Sequence, residues 1–235
     1  MKKILIGALT VLTIFSTGCG DDSDEAQQSA IPAVEKNSDT LIMPVEDSKP
    51  KPSTSARHDE SKNSSDANFY ANRAVENFNR KNFREAAADA TEAIRLSPTN
   101  AVAYVNRGCI YNAMNDWSQA AADFSRAIEL DPTNAAAYCG RGVAYGRMNE
   151  YNQAVADFSR ALELNPNDAV AYGGRGIIYA TLGDLDRAVD DLSRAIELNP
   201  SVAVVWQNRG QCYRELGDET KAQADFAKAR ALGYN

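Results

Sequence analysis

Pro98, Pro132, Pro166 and Pro200 follow one another at a constant interval of 34 residues. A fixed period of that size marks a stack of small units, none of which can bury its apolar face alone. The unit is plainest in residues 101–134, AVAYVNRGCIYNAMNDWSQAAADFSRAIELDPTN, and the same pattern occurs once before it and three times after it. The units run 67–100, 101–134, 135–168, 169–202 and 203–235, and this span is expected to be all-α.

Set in register, the copies share columns with a physical meaning. An aromatic column, Tyr70, Tyr104, Tyr138, Tyr172 and Trp206, is followed four places on by a small one, Ala74, Gly108, Gly142, Gly176 and Gly210. Tyr111, Tyr145, Tyr179 and Tyr213 come next. The second half of each unit carries Ala86, Ala120, Ala154, Ala188 and Ala222, then Phe124, Phe158, Leu192 and Phe226, then Ala93, Ala127, Ala161, Ala195 and Ala229. Steps of three and four make each half an amphipathic helix. Asn115, Asn149, Gly183 and Gly217 tolerate the left-handed conformation that ends a first helix. Asp116, Glu150, Asp184 and Asp218 suit the start of the second. Ser97, Asp131, Asn165 and Asn199 precede the prolines and are driven from helical angles, and Asn100, Asn134 and Asp168 can cap the next first helix. The small column lets backbones approach while rings fill the wedge, so a larger residue at Gly142 or Ala161 should overpack by about 1–3 kcal/mol.

These columns resemble the tetratricopeptide-repeat family, whose unit has an aromatic, a small residue and a tyrosine in its first helix, alanine, phenylalanine and alanine in its second, then proline. Asn77, where tyrosine is expected, and Tyr234, where the proline would fall, depart from it. The resemblance implies a right-handed superhelical solenoid of five helix-turn-helix repeats, with first helices lining a concave wall that receives segments of partner proteins. The matching face carries Val102, Val105, Cys109 and Asn112, then Ala136, Cys139, Val143 and Gly146, then Val170, Gly173, Ile177 and Ala180. In the last copy it changes to Val204, Gln207, Gln211 and Arg214. This face is expected to be a groove for a protein or peptide segment with apolar anchors. The same residues would also suit packing against neighbouring helices or a second copy. A carboxylate clamp like that of chaperone-binding relatives is not expected, because of Ala71, Val75, Asn106, Ala136 and Gly140 only Asn106 fits one. Gln223 and Arg230 replace apolar residues of the inner copies and read as a water-facing cap.

Residues 1–18, MKKILIGALTVLTIFSTG, have two lysines, an apolar run and small residues, the features of an export signal. A helix over residues 4–18 would be about 22 Å long, short of the roughly 30 Å hydrocarbon core. Ser16, Thr17, Gly18 and Cys19 resemble the lipobox of bacterial lipoproteins, which implies acylation of Cys19, a palmitate-type lipid anchor and a place in the cell envelope. Ser16 stands where leucine is usual, so cleavage leaving a free thiol is the other reading. Residues 19–66 are polar and nearly free of aromatics, the composition of a disordered tether.

The formal charge is −7, and residues 67–235 hold 18 basic against 21 acidic side chains. No basic face is present to attract nucleic acid. The one histidine, His58, falls in the tether, and Asp89, Asp123, Asp157, Asp191 and Asp225 recur in step with Arg73, Arg107, Arg141, Arg175 and Arg209. A group repeated in every unit serves the unit, so these are read as structural pairs and no enzyme, metal or cofactor site is expected. Cys109 and Cys139 lie on neighbouring first helices and are candidates for a disulfide in an oxidising compartment. The expected role is that of an envelope adaptor. The rivals are an accessory or ligand-binding module of an envelope enzyme or assembly machine, and a self-assembling structural protein.

Overall fold

The computed structural model describes residues 57–234, and within them the chain is entirely helical. Ten helices follow in order: α1 Arg57–Asn79, α2 Phe83–Leu96, α3 Ala101–Ala113, α4 Trp117–Leu130, α5 Ala135–Arg147, α6 Tyr151–Leu164, α7 Ala169–Leu182, α8 Leu185–Leu198, α9 Ala203–Glu215 and α10 Glu219–Ala231. They form five consecutive helix-turn-helix pairs stacked as a solenoid, each pair touching the next and each first helix touching the first helix of its neighbours. α1 begins at Arg57, so residues 57–66, read from composition as the end of the tether, have helical backbone, and His58 falls on this helix. Residues 1–56, with the signal and Cys19, lie outside the described residues.

The punctuation is built from the expected side chains. Asn100, Asn134 and Asp168 accept from the backbone N–H of Val102, Ala137 and Val170 at 3.0, 3.0 and 2.9 Å. Asp116, Asp184 and Asp218 do the same for Gln119, Arg187 and Lys221 at 3.3, 3.3 and 3.1 Å. Glu150 makes no backbone cap and takes the Gln153 side chain instead, since its longer stem carries the carboxylate past the free amides. The left-handed turn residues are Asn115, Asn149, Gly183 and Gly217, joined by Lys81 at φ 63° in the first pair.

What holds one pair on the next is a ring between two glycines. Phe124 of α4 is sealed from solvent. An added Cβ at Gly108 would lie 2.9 Å from its ring, and one at Gly140 of the following copy 2.4 Å. Phe158 sits likewise between Gly142 and Gly174, at 3.1 and 2.5 Å. The junctions without a phenylalanine carry larger partners: Ala90 is followed by Asn106 and Leu192 by Asn208. Volume is conserved across each junction while its distribution changes, as close packing requires. Tyr234, standing in the proline column, packs against the last of these clusters.

Candidate interaction surface

Each first helix aims one arginine at an aspartate on its own second helix. Arg107, Arg141, Arg175 and Arg209 hold Asp123, Asp157, Asp191 and Asp225 through two hydrogen bonds each, from Nε at 2.7, 2.7, 2.7 and 2.8 Å and from Nη2 at 2.8, 2.8, 2.9 and 2.9 Å. Arg73 holds Asp89 in the same way, at 2.8 and 2.5 Å. Nη1 of the later four crosses the junction to Thr91, Ser125, Ser159 and Ser193 of the preceding copy, at 3.1, 3.0, 3.0 and 3.0 Å. The guanidiniums lie over aromatic rings on both sides; Arg141 is 5.7 Å from the centroids of both Tyr138 and Tyr145. The hydrogen bonds to Asp123, Asp157 and Asp191 raise the pKa of Arg107, Arg141 and Arg175 above the ordinary value. These groups are satisfied within the array, so the ladder is a fastening between repeats and offers little to a ligand. Asn77 takes part in the first copy, donating to Asp89 at 2.9 Å, which accounts for its place in the tyrosine column.

The face expected to line a groove is, for the most part, the junction itself. Val105, Cys109, Cys139, Gly173 and Ile177 are sealed, and Asn112 and Val143 are buried. An added Cβ at Gly173 would meet Val205 of the next copy at 3.7 Å, and Asn112 Nδ2 donates to the Gly140 carbonyl at 3.2 Å across the junction. The side chains at these register positions are small because the following first helix lies directly on them. Val102 and Ala136 are half-buried and only Val170 is exposed. In the last copy the same positions hold Gln207 and Gln211, half-buried, and Arg214, exposed, with Arg214 donating to Gln211 and Gln211 to Glu215. Gln223 and Arg230 are exposed.

Cys109 and Cys139 are not joined in a disulfide. They are sealed in different apolar clusters, Cys109 with Phe124 and Cys139 with Phe158, where each acts as a small hydrophobe. Cys212 forms no disulfide either, and burial, with a smaller contribution from the Glu215 charge, pushes its thiol up to about 12. All three are expected to resist an alkylating reagent in mildly alkaline native buffer and to react fully in denaturant, a difference that intact-mass measurement reads directly. Equal labelling in both conditions would show that these helices do not seal their junctions.

Accessible apolar side chains lie elsewhere, in a column that the sequence reading passed over. Met114, Leu182 and Leu216 are exposed where the first helices end, with Met148 half-buried in the same register. Two open depressions lie along this edge. One, of about 310 Å³, is lined by Asn152, Val155, Tyr179, Leu182, Asp184 and Arg187. The other, of about 420 Å³, is lined by residues 81–85 and Met114. Both sit between the second-helix start of one copy and the first-helix end of the next. Arg147 lies near this edge over the Trp117 ring, 5.0 Å from its centroid, and burial lowers its pKa to about 10, so it stays charged at neutral pH. Among the described residues no group of three or more His, Cys, Asp or Glu is placed to hold a metal ion, and no helix is long and apolar enough to cross a membrane.

Comparison with known proteins agrees with this architecture. Sequence models of the tetratricopeptide repeat match residues 135–168, 169–202 and 192–224, and a further TPR-repeat model matches residues 108–149. No curated protein sequence matches the chain. Among solved structures, MamA superposes with a TM-score of 0.60 at 24% identity, over 68% of this chain and 93% of that one. MamA from Desulfovibrio magneticus RS-1 gives 0.63 at 22% identity, over 71% and 94%. YrrB, described as a TPR protein with an unusual peptide-binding site, gives 0.58 at 26% identity, over 73% and 89%. The repeated columns, the stacked pairs and these matches have one meaning: the chain carries tetratricopeptide repeats.

Proposed function

We propose that the chain is a non-catalytic protein-interaction scaffold of the bacterial cell envelope, anchored through a lipid on Cys19 and receiving a partner segment along the turn edge of the array. The observation that carries the reading is the row of exposed Met114, Leu182 and Leu216, recurring with the repeat and flanked by two open depressions. Apolar side chains presented in the same register of three of the five units suit a segment with apolar anchors spaced to match. YrrB, with its peptide-binding site, supports a polypeptide as the occupant. Anchoring rests on the charged start, apolar run and small residues before Cys19.

The two halves of the proposal separate experimentally. Cys19→Ala should abolish acyl labelling and release the protein from membranes, and continued membrane association would remove the anchor. A photo-crosslinker at position 182 or 114 should capture a partner in native membranes that a crosslinker at exposed Arg160 does not. With the crosslinker at position 114, Leu182→Asp should lower that capture by about tenfold, the scale of one interface anchor, with helicity and melting temperature retained. Capture equal at Arg160 and Leu182 would sink the turn edge as the docking surface.

A further inference from the structure

Along the array, each first helix is covered on one side by the copy before it. The register positions of Phe69, Asn72 and Glu76 are filled in the next copy by Ala103, Asn106 and Ile110, all buried, and in the third by Ala137, Gly140 and Ala144, also buried. The covering group is visible at Gly140, whose added Cβ would strike Phe124 of the preceding copy. In α1 the same side is open. Asn72 and Glu76 are exposed and Phe69 is 57% exposed, stacked edge-on against Tyr70. The Arg73 side chain is 45% exposed, against 18, 19, 20 and 16% for Arg107, Arg141, Arg175 and Arg209. Those four also reach a hydroxyl of the preceding copy, and no described residue supplies one to Arg73.

Asn72 and Glu76 are what a water-facing end calls for, and Phe69 is not. Its ring lies 5.2 Å from the Arg73 guanidinium, so an aromatic face and a half-exposed cation stand together on an otherwise polar end. A ligand for such a pair carries an apolar side chain beside a carboxylate.

We propose that this end is covered by the chain's own residues 41–47, LIMPVED, with the apolar run on Phe69 and the carboxylate of Glu46 or Asp47 on the outer side of Arg73. Reach permits it. Phe69 lies twelve residues along α1 from Arg57, about 18 Å at 1.5 Å per residue, and the ten residue steps from Asp47 to Arg57 span up to about 34 Å extended. Composition selects it, because this run joins the bulkiest apolar stretch of residues 19–66 directly to two acids. A second copy stacked head to tail fits poorly. Its last unit has Ala227 in the column of Thr91, Ser125, Ser159 and Ser193, so it brings no hydroxyl, and Arg230 in the column of Ile128, Leu162 and Ile196 brings a cation in place of an apolar contact.

The test is hydrogen exchange on the full chain. Leu41→Asp with Ile42→Asp, and separately Glu46→Lys with Asp47→Lys, should each speed amide exchange across residues 67–76 by about tenfold, while residues 203–231 keep their wild-type rates. The array itself folds in both variants, since the substitutions fall outside its helices. Unchanged exchange at residues 67–76 in both variants overturns the proposal. Protection of the wild type that disappears on dilution also overturns it, assigning the cover to a second copy.

Discussion

Gly140→Asn should destabilise the array by about 3 kcal/mol, the upper part of the usual range for overpacking, because the new Cβ falls 2.4 Å from Phe124 Cζ and 2.5 Å from Cε1 of a ring that is itself sealed. Phe124→Ala alone should cost about 3–5 kcal/mol by leaving a cavity. Together the two changes are expected to cost about 2–3 kcal/mol less than their sum, since one vacates the space the other needs. The first junction of the protein already has this composition: Ala90 on the second helix and Asn106 on the following first helix. It also has Ala74 where the second junction has Gly108, whose added Cβ would lie 2.9 Å from the same ring. Adding Gly108→Ala to the pair should therefore recover further stability, whereas in the wild-type background it should only cost. Urea denaturation of these five variants beside the wild type decides it, with midpoints and slopes compared together because a repeat array can lose cooperativity. Additivity to within about 0.5 kcal/mol would mean that ring and glycine do not share one space.

The residues that interlock in this way also show what the sequence could reveal. Positions that recur from copy to copy were legible: the prolines, the caps at Asn100, Asn134 and Asp168, and the pairing of five arginines with five aspartates. Repetition removes accident, so each such column could be read as serving the unit. The lining was misjudged because Val105, Cys109, Cys139 and Ile177 step along one helix face, and periodicity defines a face without saying whether water or a neighbouring helix lies over it. The discriminating signal was in the last copy. Gln207, Gln211 and Arg214 replace apolar residues at the positions that no further described helix covers, which is how a junction-facing column ends and not how a ligand groove varies. Gly140 and Gly174 carried a second signal, since they follow Phe124 and Phe158 and are replaced by asparagine after Ala90 and Leu192. The exposed edge at Met114, Leu182 and Leu216 was present as a column, but leucine before a turn has an equal use in packing, so only its solvent exposure distinguishes it.

Asp157→Ala should be among the most damaging single polar deletions in the array. It strips the two carboxylate hydrogen bonds from Arg141, keeps only the one to Ser125, and leaves a guanidinium whose side chain is 19% exposed, between two tyrosine rings. Removing one partner of a fully buried pair costs about 3–5 kcal/mol, and the residual solvent contact of Arg141 reduces the expectation to about 2–3 kcal/mol. Glu163→Ala, which breaks the exposed pair with Arg160, should leave the denaturation midpoint unchanged and serves as the control. Raising the salt concentration should not supply what Asp157 gave, because counterions screen exposed charges far more than partly buried ones. Ser125→Ala removes one hydrogen bond across the junction, and its effect should be smaller, about 1 kcal/mol. The pair and the serine differ in what they join: Arg141 and Asp157 bind two helices of one unit, while Arg141 and Ser125 bind that unit to the one before. Amide exchange should therefore quicken across α5 and α6 together in Asp157→Ala, and at the α4–α5 junction in Ser125→Ala. If exchange instead quickens uniformly along the chain in both, the ladder is not a set of separate fastenings and the array melts as one body.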